Sequence, residues 1–408
     1  MNRSLVVAPS LTVGTGRHGK VRLTEKFVSG MQAYVDLWEG PVTVLIEPDQ
    51  NENSGNLDDV WVRTDELPFQ TVVTRFESEL ARKTMIDAGV VMGGPDHRMN
   101  HAAGTCANAG VPFVMVTEYS LKTRLQIVDA DSPVFWRRWR RRQWQISQEK
   151  ATIASIRQAA GLQCNGTPTF EAYRELNANT LLYFDNRVSQ EMIPSEPALA
   201  SRELLFTAQR PLRLAFSGRL SPMKGADHLV RVAASLRQQG VPFRFDIYGD
   251  GPLAQSMAEE IRSHGLDREV VLGGVLDFTT ELMPRMRQET DLFVCCHRQG
   301  DPSCTYLETW ACGVPIVGYD NEAFSGLLRI CEAGHAVPMD DWQGLAKAIA
   351  RLSHAPKELI SLAREGLSFA KNHTFESEFM ARINHAKRLL NLRIQYRVAI
   401  PPAERVKS

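Results

Sequence analysis

Short apolar runs alternating with longer amphipathic stretches constrain this chain more than any other feature. Strands buried on both faces read as near-continuous apolar runs, and parallel strands need a crossover, usually a helix, to carry the chain back. The alternation therefore predicts parallel sheets covered by helices. In the first half, strands are expected at Leu5–Val13, Val42–Ile46, Gly89–Met92, Pro112–Val116 and Leu181–Phe184. Between the first two, Leu23, Phe27, Met31, Tyr34 and Trp38 recur at a helical period, and residues 120–160 also read as helical. In the second half, strands are expected at Leu212–Phe216, Phe243–Tyr248, Val270–Leu272, Leu292–Cys295 and Pro315–Gly318, with helices such as Asp227–Arg237 and Leu253–His264 between them. At 408 residues the chain has room for two or three domains of about 100–200 residues. Pro194, Pro197 and Pro211, with little periodicity among them, mark a linker. The expected organisation is a first domain over 1–195, a linker over 196–210, a second domain over 211–375 and a long helix within 376–408. Both domains read as doubly wound, Rossmann-like α/β units facing a central cleft.

Composition excludes several classes. Lys and Arg number 47 and so do Asp and Glu, so the net charge is zero, and no nucleic-acid partner is expected. With 43 % apolar residues the chain is too hydrophobic to be disordered. No apolar run approaches the about 18–20 residues that span a bilayer. The opening residues lack a signal-peptide core and read as a first strand. The seven cysteines are odd in number and form no Cys-x-x-Cys pair, which speaks against a disulfide framework or a zinc cage and for a reducing, cytoplasmic compartment.

Gly14-Thr15-Gly16-Arg17-His18-Gly19-Lys20-Val21 is expected between a strand and a helix. Gly14, Gly16 and Gly19 fit the dinucleotide pattern, while Gly14, Gly19 and Lys20 fit most of a P-loop. Each match is defective. Val21 stands where a P-loop carries the hydroxyl for Mg²⁺, and Glu47 lies further on than the about 20 residues usual for the ribose-binding acid. A phosphate or donor contact at Gly16 and a plain tight turn both stay open.

The second half carries sharper chemistry. Gly218-Arg219-Leu220-Ser221-Pro222-Met223-Lys224-Gly225 follows one strand and opens a helix. Arg219 offers a fork and Lys224 a point charge, a pair able to hold a diphosphate. Tyr248-Gly249-Asp250-Gly251-Pro252 follows the next strand, where Gly249 and Gly251 suit a ligand edge or any sharp turn. After Leu292–Cys295 comes a loop holding Asp301, Ser303, Thr305 and Tyr306, and then Glu308 in the first turn of a helix. Amides at a helix start take phosphate oxygens, and a carboxylate there accepts ribose hydroxyls or simply favours the helix dipole.

The order GRL-x3-KG, then GDGP, then a strand, a loop and LE-x2-A-x-G-x-P-I-V resembles the retaining glycosyltransferases of family 4, the glycosyl transferases group 1, over about residues 212–375. The resemblance implies the two-domain GT-B fold, with a last helix crossing back to the first domain, and a nucleotide-sugar donor as substrate with no further cofactor. It assigns Arg219 and Lys224 to the donor diphosphate and Glu308 to the ribose. The family's upstream glutamate, which lies near the transferred sugar, is replaced here by Gly300, and Asp301 is the nearest carboxylate.

On the acceptor side, Glu118 ends the strand Pro112–Val116, and His97 lies on the neighbouring loop. Both are candidates to orient an acceptor hydroxyl and take its proton, and both are equally ordinary as solvated loop residues. His97 and His101 lack a third ligand in the pattern, so no metal site is expected. Asn165–Pro168 and Phe184–Arg187 follow late strands and are expected to shape the cleft. Phe135-Trp136-Arg137-Arg138-Trp139-Arg140-Arg141-Arg142-Gln143-Trp144 stands apart. As a helix it sets Phe135, Trp139 and Ile146 against most of the arginines. Residues 135–146 fit a membrane-surface helix, a salt-bridged helix with a core face, or a site for a phosphate-bearing acceptor.

The resulting expectation is a hexosyltransferase-type enzyme moving sugar from a nucleoside diphosphate to a sugar, lipid-linked or other hydroxyl, in polysaccharide or glycolipid synthesis. It would be cytoplasmic, with a peripheral site on the inner membrane face. The rivals are a nucleotide-sugar epimerase, a non-catalytic nucleotide-sugar binder and a nicotinamide-dependent oxidoreductase using the Gly14–Gly19 loop.

Overall fold

A computed structural model describes residues 3–16, 19–49, 59–132, 134–207 and 210–399. The first half builds β1 (Leu5–Ala8), β2 (Thr12–Thr15), β3 (Lys20–Thr24), β4 (Val42–Asp49), β5 (Asp59–Arg63), β6 (Gln70–Val73), β7 (Val90–Gly93), β8 (Phe113–Thr117), β9 (Gly161–Asn165) and β10 (Thr180–Tyr183). They form one sheet in the order β10-β9-β8-β7-β1-β4-β2-β3-β5, with β6 also paired to β4. The pairs β2–β3 and β3–β5 are antiparallel, and the others are parallel.

The second half adds β11 (Leu212–Ser217), β12 (Phe243–Tyr248), β13 (Val270–Gly274), β14 (Leu292–Cys295), β15 (Ile316–Tyr319) and β16 (Gly334–Val337). These make a wholly parallel sheet in the order β13-β12-β11-β14-β15-β16. Its central strands β14 and β15 are apolar and buried because helices cover both faces. Helix Ala226–Gln238, for instance, buries Leu229, Val230, Val232, Ala233 and Leu236 completely. Each of these leucines and valines contributes about 1.5–3 kcal/mol on leaving water. The chain winds outward in opposite directions from β11 and β14, so the loops after these two neighbouring strands diverge and leave a crevice at their carboxyl ends.

Several expectations change. The single run Leu5–Val13 divides into β1 and β2, and the stretch 120–160 divides into helices Leu121–Asp131 and Phe135–Gln158. β16 escapes the apolar pattern because it is a four-residue edge strand with no fully buried residue. Within the expected linker 196–210, residues Glu196–Thr207 are helical. Leu199 and Arg202 are the reason: both are buried, and the Arg202 guanidinium donates to the carbonyls of Gly313 (2.8 Å), Arg287 (2.5 Å) and Thr290. The last helix, Phe375–Ala399, lies on the first half's sheet. Its Phe379 ring stands edge-on to Tyr34 at 5.3 Å, and the Arg382 carbonyl accepts from Gln163 Nε2 at 2.9 Å.

Candidate active site

The two halves meet along a cleft at the carboxyl ends of their parallel strands. Ser120 Oγ donates to Glu322 Oε2 at 2.8 Å, Thr123 Oγ1 to the Gly300 carbonyl at 3.1 Å, and the Gly300 amide to Gln126 Oε1 at 3.1 Å.

On the second-half wall, the loops after β11 and β12 interlock. The Gly218 amide donates to the Tyr248 carbonyl, Leu220 to Asp250 and Leu253 to Leu220. A Cβ on Gly249, where φ is +126°, would fall 2.0 Å from the Gly218 carbonyl oxygen, and one on Gly251 would fall 2.5 Å from that of Leu220. Gly249 and Gly251 are thus accounted for by loop-to-loop packing, which sets the position of Arg219. Arg219 itself is exposed, and its guanidinium has no ion pair among the described residues. Lys224 ends a short 3₁₀ turn, Pro222–Lys224, and its ammonium lies 2.9 Å from Asp301 Oδ2. The other Asp301 oxygen is buried without a hydrogen-bond partner among the described residues. The ring nitrogens of His297, buried between Phe216 and Tyr306, are likewise unpartnered, and burial holds that imidazole neutral, well below the usual histidine range.

The helix Thr305–Ala311 presents Glu308 from its first turn. The Glu308 carboxylate is only 10 % exposed and receives both arms of the Arg187 guanidinium, at 2.8 and 3.2 Å. Arg187 also lies over the Phe278 ring, 3.8 Å from its centroid. The amides expected to be free at this helix start are partly engaged. Ser303 N donates to Asp301 O at 2.8 Å and Tyr306 N leans on Ser303 O at 3.4 Å, while Thr305 Oγ1 accepts from Ser303 Oγ at 3.1 Å. Tyr306 is buried, with its hydroxyl on Asn321, so its side chain belongs to the core rather than the cleft wall.

Gly300 explains the departure from the family motif. A Cβ there would meet Glu322 Cβ at 2.8 Å and Thr123 Oγ1 at 3.3 Å. The contact between the halves occupies the space a glutamate side chain would need.

The first-half wall supplies residues that sequence reasoning passed over. Lys26 Nζ, in the first turn of helix Glu25–Leu37, lies 2.7 Å from Asp185 Oδ2 and 3.7 Å from Cys304 Sγ. Burial opposes its charge, but Cys304, Asp185 and Glu308 outweigh it and raise the ammonium pKa. Burial pushes the Cys304 thiol up to about 12, so it is neutral near pH 7 and Asp185 is the working counter-ion. Glu118, at the end of β8, opens to solvent on one side yet is crowded by protein on the others. That crowding raises its pKa above the ordinary 4.5, Asp185 and Asp301 add to the rise, and Lys26 opposes it. Nothing in a surface-type lysine on an amphipathic helix signals such a place. Asp185 and Arg187 carried a faint signal, a polar loop after a late strand.

Other expected residues fall elsewhere. His97 is exposed and stands edge-on to Trp144 at 5.5 Å, beside Asp96. The glycine loop links two antiparallel strands, since Gly14 pairs with Arg22 and Gly16 N donates to Lys20 O. Gly16 therefore sits on a hairpin turn, and the next helix begins only at Glu25. Arg17 and His18 lie outside the described residues. Among the described residues the chain continues from that turn as β3, not as a helix whose first amides could take a phosphate, as a dinucleotide fingerprint needs. Glu47, the would-be ribose acid of that fingerprint, is buried and accepts from Phe76 N at 2.7 Å and from Arg98.

Residues 211–355, in the second half, match the family model Glycosyl transferases group 1. The whole chain has the GT-B fold: it superposes on Anabaena HepE in complex with UDP with a TM-score of 0.65 at 13 % identity, covering 95 % of this chain and 100 % of that one. An amylovoran biosynthesis glycosyltransferase, AmsK of Erwinia amylovora, is 26 % identical over 194 residues, 46 % of each chain. An exopolysaccharide phosphotransferase of Streptomyces coelicolor is 33 % identical over 136 residues, 33 % of this chain and 14 % of that protein. The match spans less than half the length of either relative.

Proposed function

We propose that the protein is a retaining glycosyltransferase that moves a sugar from a nucleoside-diphosphate sugar to an acceptor hydroxyl in polysaccharide or glycolipid synthesis. The observation that carries this reading is the convergence of Lys224, Asp301 and Glu308 on a cleft whose opposite wall holds Lys26, Glu118 and Asp185. Arg219 and Lys224 bind the donor diphosphate and stabilise the charge that grows on it as the glycosidic bond breaks. Glu308 exchanges the Arg187 fork for two ribose hydroxyls. Asp301, held by Lys224, orients the transferred sugar, and Cys304 and Thr305 border the helix start at the phosphates. Glu118 meets the acceptor and orients its hydroxyl. Same-face displacement follows from the family resemblance: the acceptor oxygen bonds to the anomeric carbon as the diphosphate leaves, and the acceptor proton passes to a leaving phosphate oxygen. UDP bound to HepE supports a nucleotide donor, and the amylovoran role of AmsK supports a polysaccharide or related product.

Calorimetric titration of a panel of nucleotide sugars into wild type, Arg219→Ala and Glu308→Ala tests the donor site. One nucleotide sugar bound by wild type and lost in both variants is expected. Binding indifferent to both changes overturns the assignment. NMR of the product's anomeric configuration tests retention.

A further inference from the structure

The amino-terminal half of the helix Phe135–Gln158 is mounted inside out, whereas its far end packs Thr152, Ser155 and Ile156 on the first half. An amphipathic helix in water turns its apolar stripe towards the protein. Here the protein side is polar: Arg138 Nε donates to Ser132 O at 2.9 Å, Arg141 to Ser132 Oγ at 2.6 Å, and Asn100 to Gln148 at 3.1 Å, while Arg124 pairs with Glu149 and Gln145. The solvent side is aromatic. Phe135 is 79 % exposed, Trp136 54 %, Trp139 57 % and Ile146 38 %. The core-face reading of this stretch therefore fails, because its apolar face has no core beneath it.

The cations around this face have a definite pattern. Residues 135–148 contain Arg137, Arg138, Arg140, Arg141 and Arg142 and no Asp or Glu, in a chain whose net charge is zero. Arg142 is paired with Asp129. Arg137 lies over the Trp136 ring at 5.2 Å, and neither it nor the exposed Arg140 has a carboxylate partner among the described residues. Among the described residues no helix is long and apolar enough to cross a membrane.

We infer that the solvent face of residues 135–146 docks on a lipid surface rich in anionic headgroups. Tryptophan rings prefer the headgroup level, where one edge is apolar and the other wet, and arginines beside them meet lipid phosphates. A second copy of this chain fits less well. A two-fold contact through this face would set its arginines against their own symmetry mates, and like charges in apposition are costly. Trp144, on the flank of the same helix, touches the His97 loop that follows β7, so a lipid surface on this face would lie on the first half, beside the acceptor-side loops.

The test is co-sedimentation of the full chain with vesicles of phosphatidylcholine alone or mixed with phosphatidylglycerol. It does not depend on any transferase activity, so it stands or falls apart from the proposed function. Wild type is expected to sediment with the mixed vesicles, less so as salt rises. Arg137→Gln with Arg140→Gln should lower partitioning about fivefold per arginine. Trp136→Ser with Trp139→Ser should abolish it at every salt concentration. All four side chains are at the surface, and unchanged circular dichroism and melting would confirm intact folding. Failure of wild type to bind the mixed vesicles overturns the proposal. So does equal binding to both vesicle types, or self-association that the tryptophan variant abolishes while vesicles stay unbound.

Discussion

Gly225→Ala probes how the diphosphate loop is fixed. Gly225 has φ +65°, and a Cβ there would fall 1.9 Å from the Cys296 carbonyl oxygen and 2.6 Å from its Cβ. The left-handed conformation costs an alanine about 1–2 kcal/mol. The clash adds more, because Cys296 is fully buried at the end of β14 and cannot yield. The turn must move instead, and it is tied by Gly225 N to Pro222 O, Ala226 N to Ser221 O and Arg298 N to Met223 O. Losing one or two of these at about 1 kcal/mol each brings the total to about 2–4 kcal/mol. Gly240→Ala is the control: its φ is +71°, but nothing lies within 4 Å of the new Cβ, so only the about 1–2 kcal/mol of backbone strain applies. Urea denaturation followed by circular dichroism should separate the two variants by about 1–2 kcal/mol. Gly225→Ala should also weaken nucleotide-sugar binding in calorimetry, since Lys224 moves with the turn, while Gly240→Ala should not. Equal destabilisation by the two substitutions would refute the argument that close approach to Cys296 fixes the loop.

Three further outcomes follow from the cleft. Gly300→Glu, which restores the family's usual residue, should lower both stability and activity, because the side chain would have to displace Glu322 and Thr123; a gain in turnover would show that the two halves part there at little cost. Arg187→Ala should tighten donor binding several-fold, since Glu308 no longer gives up a charged fork, while destabilising the protein by about 1–3 kcal/mol through an unpaired, mostly buried carboxylate; weaker donor binding in calorimetry would instead place Arg187 on the donor. Glu118 has a folded-state pKa above its ordinary 4.5, so the folded protein holds that proton more tightly and stability falls as pH rises through that interval. Glu118→Gln should therefore stabilise the protein near pH 7 and lose that advantage at pH values below the ordinary carboxylate range, which melting curves across pH would show.

Local composition determined much of this protein. Strands Phe243–Tyr248 and Leu292–Cys295 match the expected spans: the second is apolar throughout because it is buried, the first sets Phe243, Phe245 and Ile247 in alternation with Arg244 and Asp246, and neither signal needs tertiary context. The loops bearing Arg219, Lys224, Asp301 and Glu308 were legible for a related reason: they follow such strands, and their order along the chain resembles a known family. The hairpin at Gly14–Lys20 was not legible, because a glycine turn reads the same before a strand as before a helix until its pairing with β5 is known. Lys26 was invisible as a site residue, and Asp185 and Arg187 were legible only as part of a polar cleft loop, since their meaning lies in partners far away in sequence, Glu308 for Arg187 and each other for Lys26 and Asp185. The same holds for the arginine- and tryptophan-rich helix. Sequence fixes the angle between its apolar and basic faces through the helical period, but which face meets water depends on the polar groups packed beneath it, such as Ser132, Arg124 and Asn100, and only the tertiary structure decides that.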